Sequence, residues 1–152
     1  MAKRGLHRMM MKRTCSIVIL LIVVAVIASA QTTYQPKFKG DPAHSDSEAA
    51  ALGYMRTFLR AQKIYKKKND HYATSLMDLT KTGSFTRRMA SPDRGDYTVK
   101  FKSHKEKDTF EITMIPKQLD ADHRSFFSDD QGKIRADDQK EADENSPMLK
   151  AD

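Results

Sequence analysis

Apolar residues recur along this chain with two different periods, and the change from one to the other divides it. Between Ser45 and Asn69, Ala51, Tyr54, Met55, Phe58, Ala61, Gln62 and Tyr65 fall on one side of a 3.6-residue repeat, with Leu52 and Leu59 at its edge. Ser45-Asp46-Ser47-Glu48 before them has the spacing of a capping box, in which the serine hydroxyl and the glutamate satisfy the first free amides. Lys66, Lys67 and Lys68 sit where cations suit the negative end of the helix dipole, and Asn69-Asp70 supplies a stop. The spacing predicts a helix of about six turns. Gly53 within it marks either a close backbone approach or a tolerated defect.

Further on, the period falls to two. Tyr97, Val99 and Phe101 alternate with Thr98, Lys100 and Lys102, and Phe110, Ile112 and Met114 alternate again after the polar turn 103–108. These predict a hairpin, with Pro116 ending its second strand. A third strand is expected at 124–128 and a fourth at 133–135, joined by Asp129-Asp130-Gln131-Gly132. Before the hairpin, 71–79 reads as a loop into a short helical turn, anchored by Tyr72, Leu76 and Leu79, and 83–96 as an irregular connection. The fold class that follows is α+β: one long N-terminal amphipathic helix on a three- or four-stranded antiparallel meander, spanning 45–135. Residues 31–44, with Pro36, Gly40 and Pro42, read as a tether, and 136–152 as a polar tail, frayed or laid over the sheet edge.

A third pattern precedes both. A positive stretch ending at Arg13 leads into the uncharged run Ser16–Ile27, and Ala28 and Ala30 supply the small residues of a signal-peptidase site with Gln31 as the new N-terminus. Residues 1–30 are thus expected to be a cleavable export signal, placing the rest in the periplasm or outside the cell. The rival reading is an uncleaved inner-membrane anchor at 15–30. As a helix that run reaches about 24 Å, short of a hydrocarbon core of about 30 Å. Cys15, the one cysteine, stands at the wrong end of the run for a lipoprotein signal, and cleavage leaves a domain with neither disulfide nor thiolate chemistry.

Charge changes its meaning once the leader is set aside. The whole chain of 152 residues carries a net +7, but Lys3, Arg4, Arg8, Lys12 and Arg13 all lie within 1–30. Without them 22 basic residues face 20 acidic ones, a net of +2. A domain so nearly balanced has no broad field for a polyanion. Candidate chemistry is sparse. His7, His44, His71, His104 and His123 show no metal-ligand spacing, and neither a nucleophile elbow nor a phosphate-cradling glycine loop is present. Asp120 and His123 can be drawn as a base with its orienting acid. The turn Asp129–Gly132 with Asp137 and Asp138 offers oxygen ligands for a weakly held calcium ion. Arg87, Arg88, Lys100, Lys102, Lys105 and Lys107, with Phe85 and Tyr97 for stacking, make a candidate ligand- or DNA-binding strip. Each of these motifs has a structural alternative: a solvated loop, a hairpin turn, the wet face of a sheet.

The order of parts resembles the globular portion of type IV pilin-like proteins and type II secretion pseudopilins. The resemblance rests on Leu59–Tyr65 within the helix, Tyr72–Leu79 after it, the hairpin ending in Ile115-Pro116, and Arg124–Arg135, and it covers about residues 48–149. The prepilin leader, cut before an aromatic residue and followed by a long apolar polymerising shaft, is missing. The resemblance therefore implies a fold, a pilin-like headpiece, and an export setting more than a pilus subunit; the residues themselves offer no catalytic, cofactor or metal set, and the domain is expected to be non-enzymatic. Its partner would be a protein of a secretion or surface-appendage machine, met through the sheet face or the tether. A membrane would be reached only through an uncleaved leader, and nucleic acid is not expected.

Overall fold

The computed structural model describes residues 34–150; the expected signal segment, with its expected cleavage residues Ala28, Ala30 and Gln31, and the start of the expected tether lie outside them. Its long helix, α1, runs Asp46–Asn69. Ser45 caps it in extended geometry, its Oγ accepting from the Glu48 amide at 3.1 Å. The return half of the expected capping box is displaced by one residue, because Glu48 Oε2 accepts from the His44 amide at 2.8 Å. That carboxylate is drawn inward by Arg124, whose backbone N–H and Nε reach Oε1 at 2.8 and 3.0 Å while Nη2 reaches Oε2 at 2.8 Å. At the other end Asp70 adopts a left-handed conformation, φ 64°, and its amide closes on the Lys66 carbonyl at 2.8 Å.

A single antiparallel sheet faces α1, with strands in chain order: β1 Asp93–Arg94, β2 Tyr97–His104, β3 Thr109–Pro116, β4 Ser125–Asp129 and β5 Arg135–Asp137. The meander has five strands, against the three or four expected. β1 lies inside the segment expected to be irregular. Two residues between Pro92 and Gly95 give no readable alternation, yet Asp93 pairs with Thr98 and Arg94 with Tyr97. The last strand starts later than expected because 130–134 are used by the turn. Gly132, at φ 75°, closes on the Asp129 carbonyl, and Ser128 Oγ donates to the Lys133 carbonyl.

Register sets the two faces. Val99, Met114, Phe126 and Ala136 lie in line, as do Phe101, Ile112 and Ser128, and this side meets α1. Phe58 stands at the centre of the interface, edge-on to Phe85, Phe101 and Phe110 with centroids 5.4–6.4 Å away. Gln62, also buried, exchanges two hydrogen bonds with the Ala73 backbone and so fastens the 71–75 loop to the helix. A four-residue helix, α2 (Leu76–Leu79), follows, capped by Ser75. It brings Leu79 and then Phe85 into the core. The approach expected at Gly53 is not there: its α-carbon faces open space.

Two segments read as loose are packed. Asp41, Pro42 and Ala43, in the expected tether, are buried. Asp41 accepts from Tyr34 Oη at 2.6 Å and from the Lys37 amide at 3.0 Å. This bond to the carboxylate is the main reason the Tyr34 pKa rises to about 12. The expected polar tail crosses the outer sheet face, where Lys100, Thr113, Phe127 and Arg135 lie in register. Ala142 is buried there and its amide donates to Ser125 Oγ at 2.9 Å. Ser146 is buried too and donates to Asp137 Oδ2 at 3.0 Å, while Leu149 bonds back to Ile134. The order of layers is therefore helix, sheet and a polypeptide strap.

Candidate functional site

The strap leaves one part of the sheet uncovered. Val99 turns its amide away from β3 to reach the Pro92 carbonyl at 2.8 Å. Strand alternation carries that direction on to Phe101 and Ser103, beyond the short β1. The backbone of β2 from Phe101 to Ser103 thus forms an unpaired edge, flanked by the exposed side chains of Lys100, Lys102 and His104.

At the far end of this edge, His71, Tyr72, Thr74, Ser103, Lys105, Asp108 and Thr109 line an open depression of about 340 Å³. Asp108 organises it. A left-handed backbone, φ 47°, turns this residue of the β2–β3 tip toward α1. One carboxylate oxygen accepts from the Tyr72 amide at 2.8 Å and the other pairs with Lys66 at 3.0 Å. Lys66 Nζ also lies 4.0 Å from the Tyr72 ring centre. The amide bond, then the ammonium, holds the Asp108 carboxyl below the usual carboxylate range, and the same contact raises the Lys66 pKa. The arrangement ties the hairpin tip to the helix end; what it presents outward is backbone and short polar side chains.

The sequence motifs fare differently. Asp120 and His123 do come together, Nδ1 to Oδ1 at 2.8 Å, and this bond lowers the carboxyl pKa. The pair belongs to one tight turn, closed by the Asp122 amide on Asp120 Oδ1 and the His123 amide on the Asp120 carbonyl. That turn docks on the start of α1, where Ser45 Oγ donates to the Asp122 carbonyl at 2.6 Å. Asp129 and Asp137 spend carboxylate oxygens on backbone amides of Gln131, Gln139 and Lys140. Among the described residues no three His, Cys, Asp or Glu side chains gather as a metal site. In the basic strip, Phe85 and Tyr97 are buried, so neither ring can stack on a base. Lys100 pairs with Glu141 at 2.7 Å and Lys102 with Glu111 at 3.5 Å. The sheet face expected as a contact surface is occupied by the strap.

Sequence reasoning missed the β2 edge, which depends on where β1 stops. It also missed the partnership of Glu48 with Arg124, 76 positions apart. Two adjacent aromatic residues, Phe126 and Phe127, were the signal for the strap, since neighbours on a strand point to opposite faces and both are apolar.

The fold defines an α+β domain of one long helix, one four-residue helix and a five-stranded antiparallel sheet. Compared with protein-family models, with curated proteins and with solved structures, the chain matches none.

Proposed function

We propose that this protein is an exported, non-enzymatic, pilin-like domain that works by protein contact with a secretion or surface-appendage machine. The observation that carries the contact is the unpaired edge of β2 at Phe101–Ser103, beside the depression at the hairpin tip. Backbone groups there can accept an added strand from a partner, with affinity from main-chain hydrogen bonds. Lys100 and Lys102 beside the edge act against indiscriminate pairing, as lysines on sheet edges do. Export rests on the leader and the resemblance to pilin-like headpieces on the order of helix, hairpin and Arg124–Arg135.

A photo-crosslinking side chain placed at Ser103 in cells tests this reading. Protein adducts are expected at 103 and not at Asp138, exposed on the strap side. Adducts of equal yield at both positions, or at neither, contradict it. A Phe101→Pro substitution should abolish the adducts, because proline removes the outward amide.

A further inference from the structure

The side of α1 turned away from the sheet carries charge of one sign. Between Ala49 and Asn69 the helix has six basic residues and no acidic one. Four of them, Arg56, Arg60, Lys63 and Lys67, are exposed and fall within about 60° of each other around the axis, over a length of about 16 Å; Lys63, at the margin of the row, carries its ammonium to the β4–β5 turn, 4.0 Å from the β-carbon position at Gly132. Lys66, a quarter-turn away, has its ion pair with Asp108, whereas no carboxylate of the described residues is in ion-pair contact with the four. Asp41 feels Arg56 only at longer range. At one end of the stripe Phe38 is 52% exposed, its ring 5.9 Å from the Arg56 guanidinium, and Ile64 is 39% exposed on the neighbouring flank.

We infer that this face is a docking surface for an anionic lipid bilayer, with Arg56, Arg60 and Lys67 at the phosphates and Phe38 and Ile64 at the acyl boundary. A straight, convex row of cations with apolar side chains beside it has the chemistry of a helix lying on a membrane surface. A second copy of the chain fits less well. On the acidic side of the molecule Glu141 pairs with Lys100, Asp143 with Lys140 and Asp137 with Ser146, which leaves only Asp138 and Glu144 of 137–144 as exposed carboxylates outside these contacts. Nucleic acid fits less well because, among the described residues, Phe38 is the only exposed aromatic ring beside the stripe. The near-neutral domain would not be drawn to a bilayer by net charge. It would be turned by the asymmetry, helix toward the lipid and strap away.

The full chain carries the apolar run 16–27, so membrane association alone is not the readout. In a Cys15→Ser background, a dye is attached at Gly53→Cys, beside the stripe in open space, or at Glu144→Cys on the strap. Vesicles contain a headgroup-linked quencher in either phosphatidylglycerol or phosphatidylcholine. The expected result is quenching at 53 and not at 144, rising with the anionic fraction, falling with salt, and weakened at least about tenfold in R60E/K67E. R60Q/K67Q gives the same test should the charge reversal disturb folding. Equal quenching at the two positions, equal quenching in the two lipids, or full retention in both double variants overturns the inference. So does displacement of the dye by a short DNA duplex at concentrations that leave the lipid in excess, or a salt-sensitive dimer that forms instead of the vesicle complex.

Discussion

At the level of single residues, the structure separates groups that stabilise the fold from groups that leave room for change. Gly53 occupies an exposed helical position with open space around its α-carbon. Gly53→Ala is therefore expected to stabilise the domain by about 0.5–1 kcal/mol, the difference in helix propensity, read as a higher denaturation midpoint. Glu48 is fully buried and holds three donors of Arg124 and one of His44. Removing one partner of a buried ion pair leaves the other uncompensated, so Glu48→Ala should cost about 3–5 kcal/mol in urea denaturation. A loss under about 1 kcal/mol would show that water replaces the carboxylate. Neither environment was legible in sequence. Glu48 reads there as half of a capping box, and its true partner, Arg124, stands just before β4, where only the folded sheet brings it near.

At the level of elements, periodic segments were legible and segments held by polar contacts were not. The span of α1, the β2–β3 hairpin and β4 followed from apolar spacing, because each buries one regular face. The strap and residues 41–43 bury few apolar atoms and are held through Asp41, Ser125, Asp137 and Ser146, side chains equally common in loops. Burial by hydrogen bond leaves no period to read. The strap also has a pH signature. Backbone amides of Gln139 and Lys140, with Ser146, hold the Asp137 carboxyl below its usual range, and Lys140 with the Asn145 amide does the same for Asp143. A depressed folded-state pKa contributes stability that is complete above the unfolded value, about 3.9, and is lost as pH falls through the folded value. The protection of the Ala142 amide, relative to its intrinsic exchange rate at the same pH, should therefore fall below about pH 4. In D137N/D143N this acid limb should flatten. An Ala142 amide equally protected at pH 3 and pH 7 would contradict the strap's dependence on these carboxylates.

Across the whole molecule, charge and architecture divide the surface into regions with different work. The helix side is basic, the strap side acidic with Asp137, Glu141 and Asp143 in contacts, and the open β2 edge lies between them. None of these regions carries a reacting constellation among the described residues; the Asp120–His123 pair is spent on the turn that docks on the start of α1. The proposed function, contact with a protein partner, requires that the domain reach the right compartment. In that proposal the expected export signal, with Ala28, Ala30 and Gln31, is the part of the sequence on which this depends. Cell fractionation followed by intact-mass measurement tests it most directly. The account predicts a polypeptide beginning at Gln31 in the periplasm or medium, or the full-length chain in the envelope where the apolar run is retained as an anchor. The full-length chain recovered free in the cytosol would contradict it.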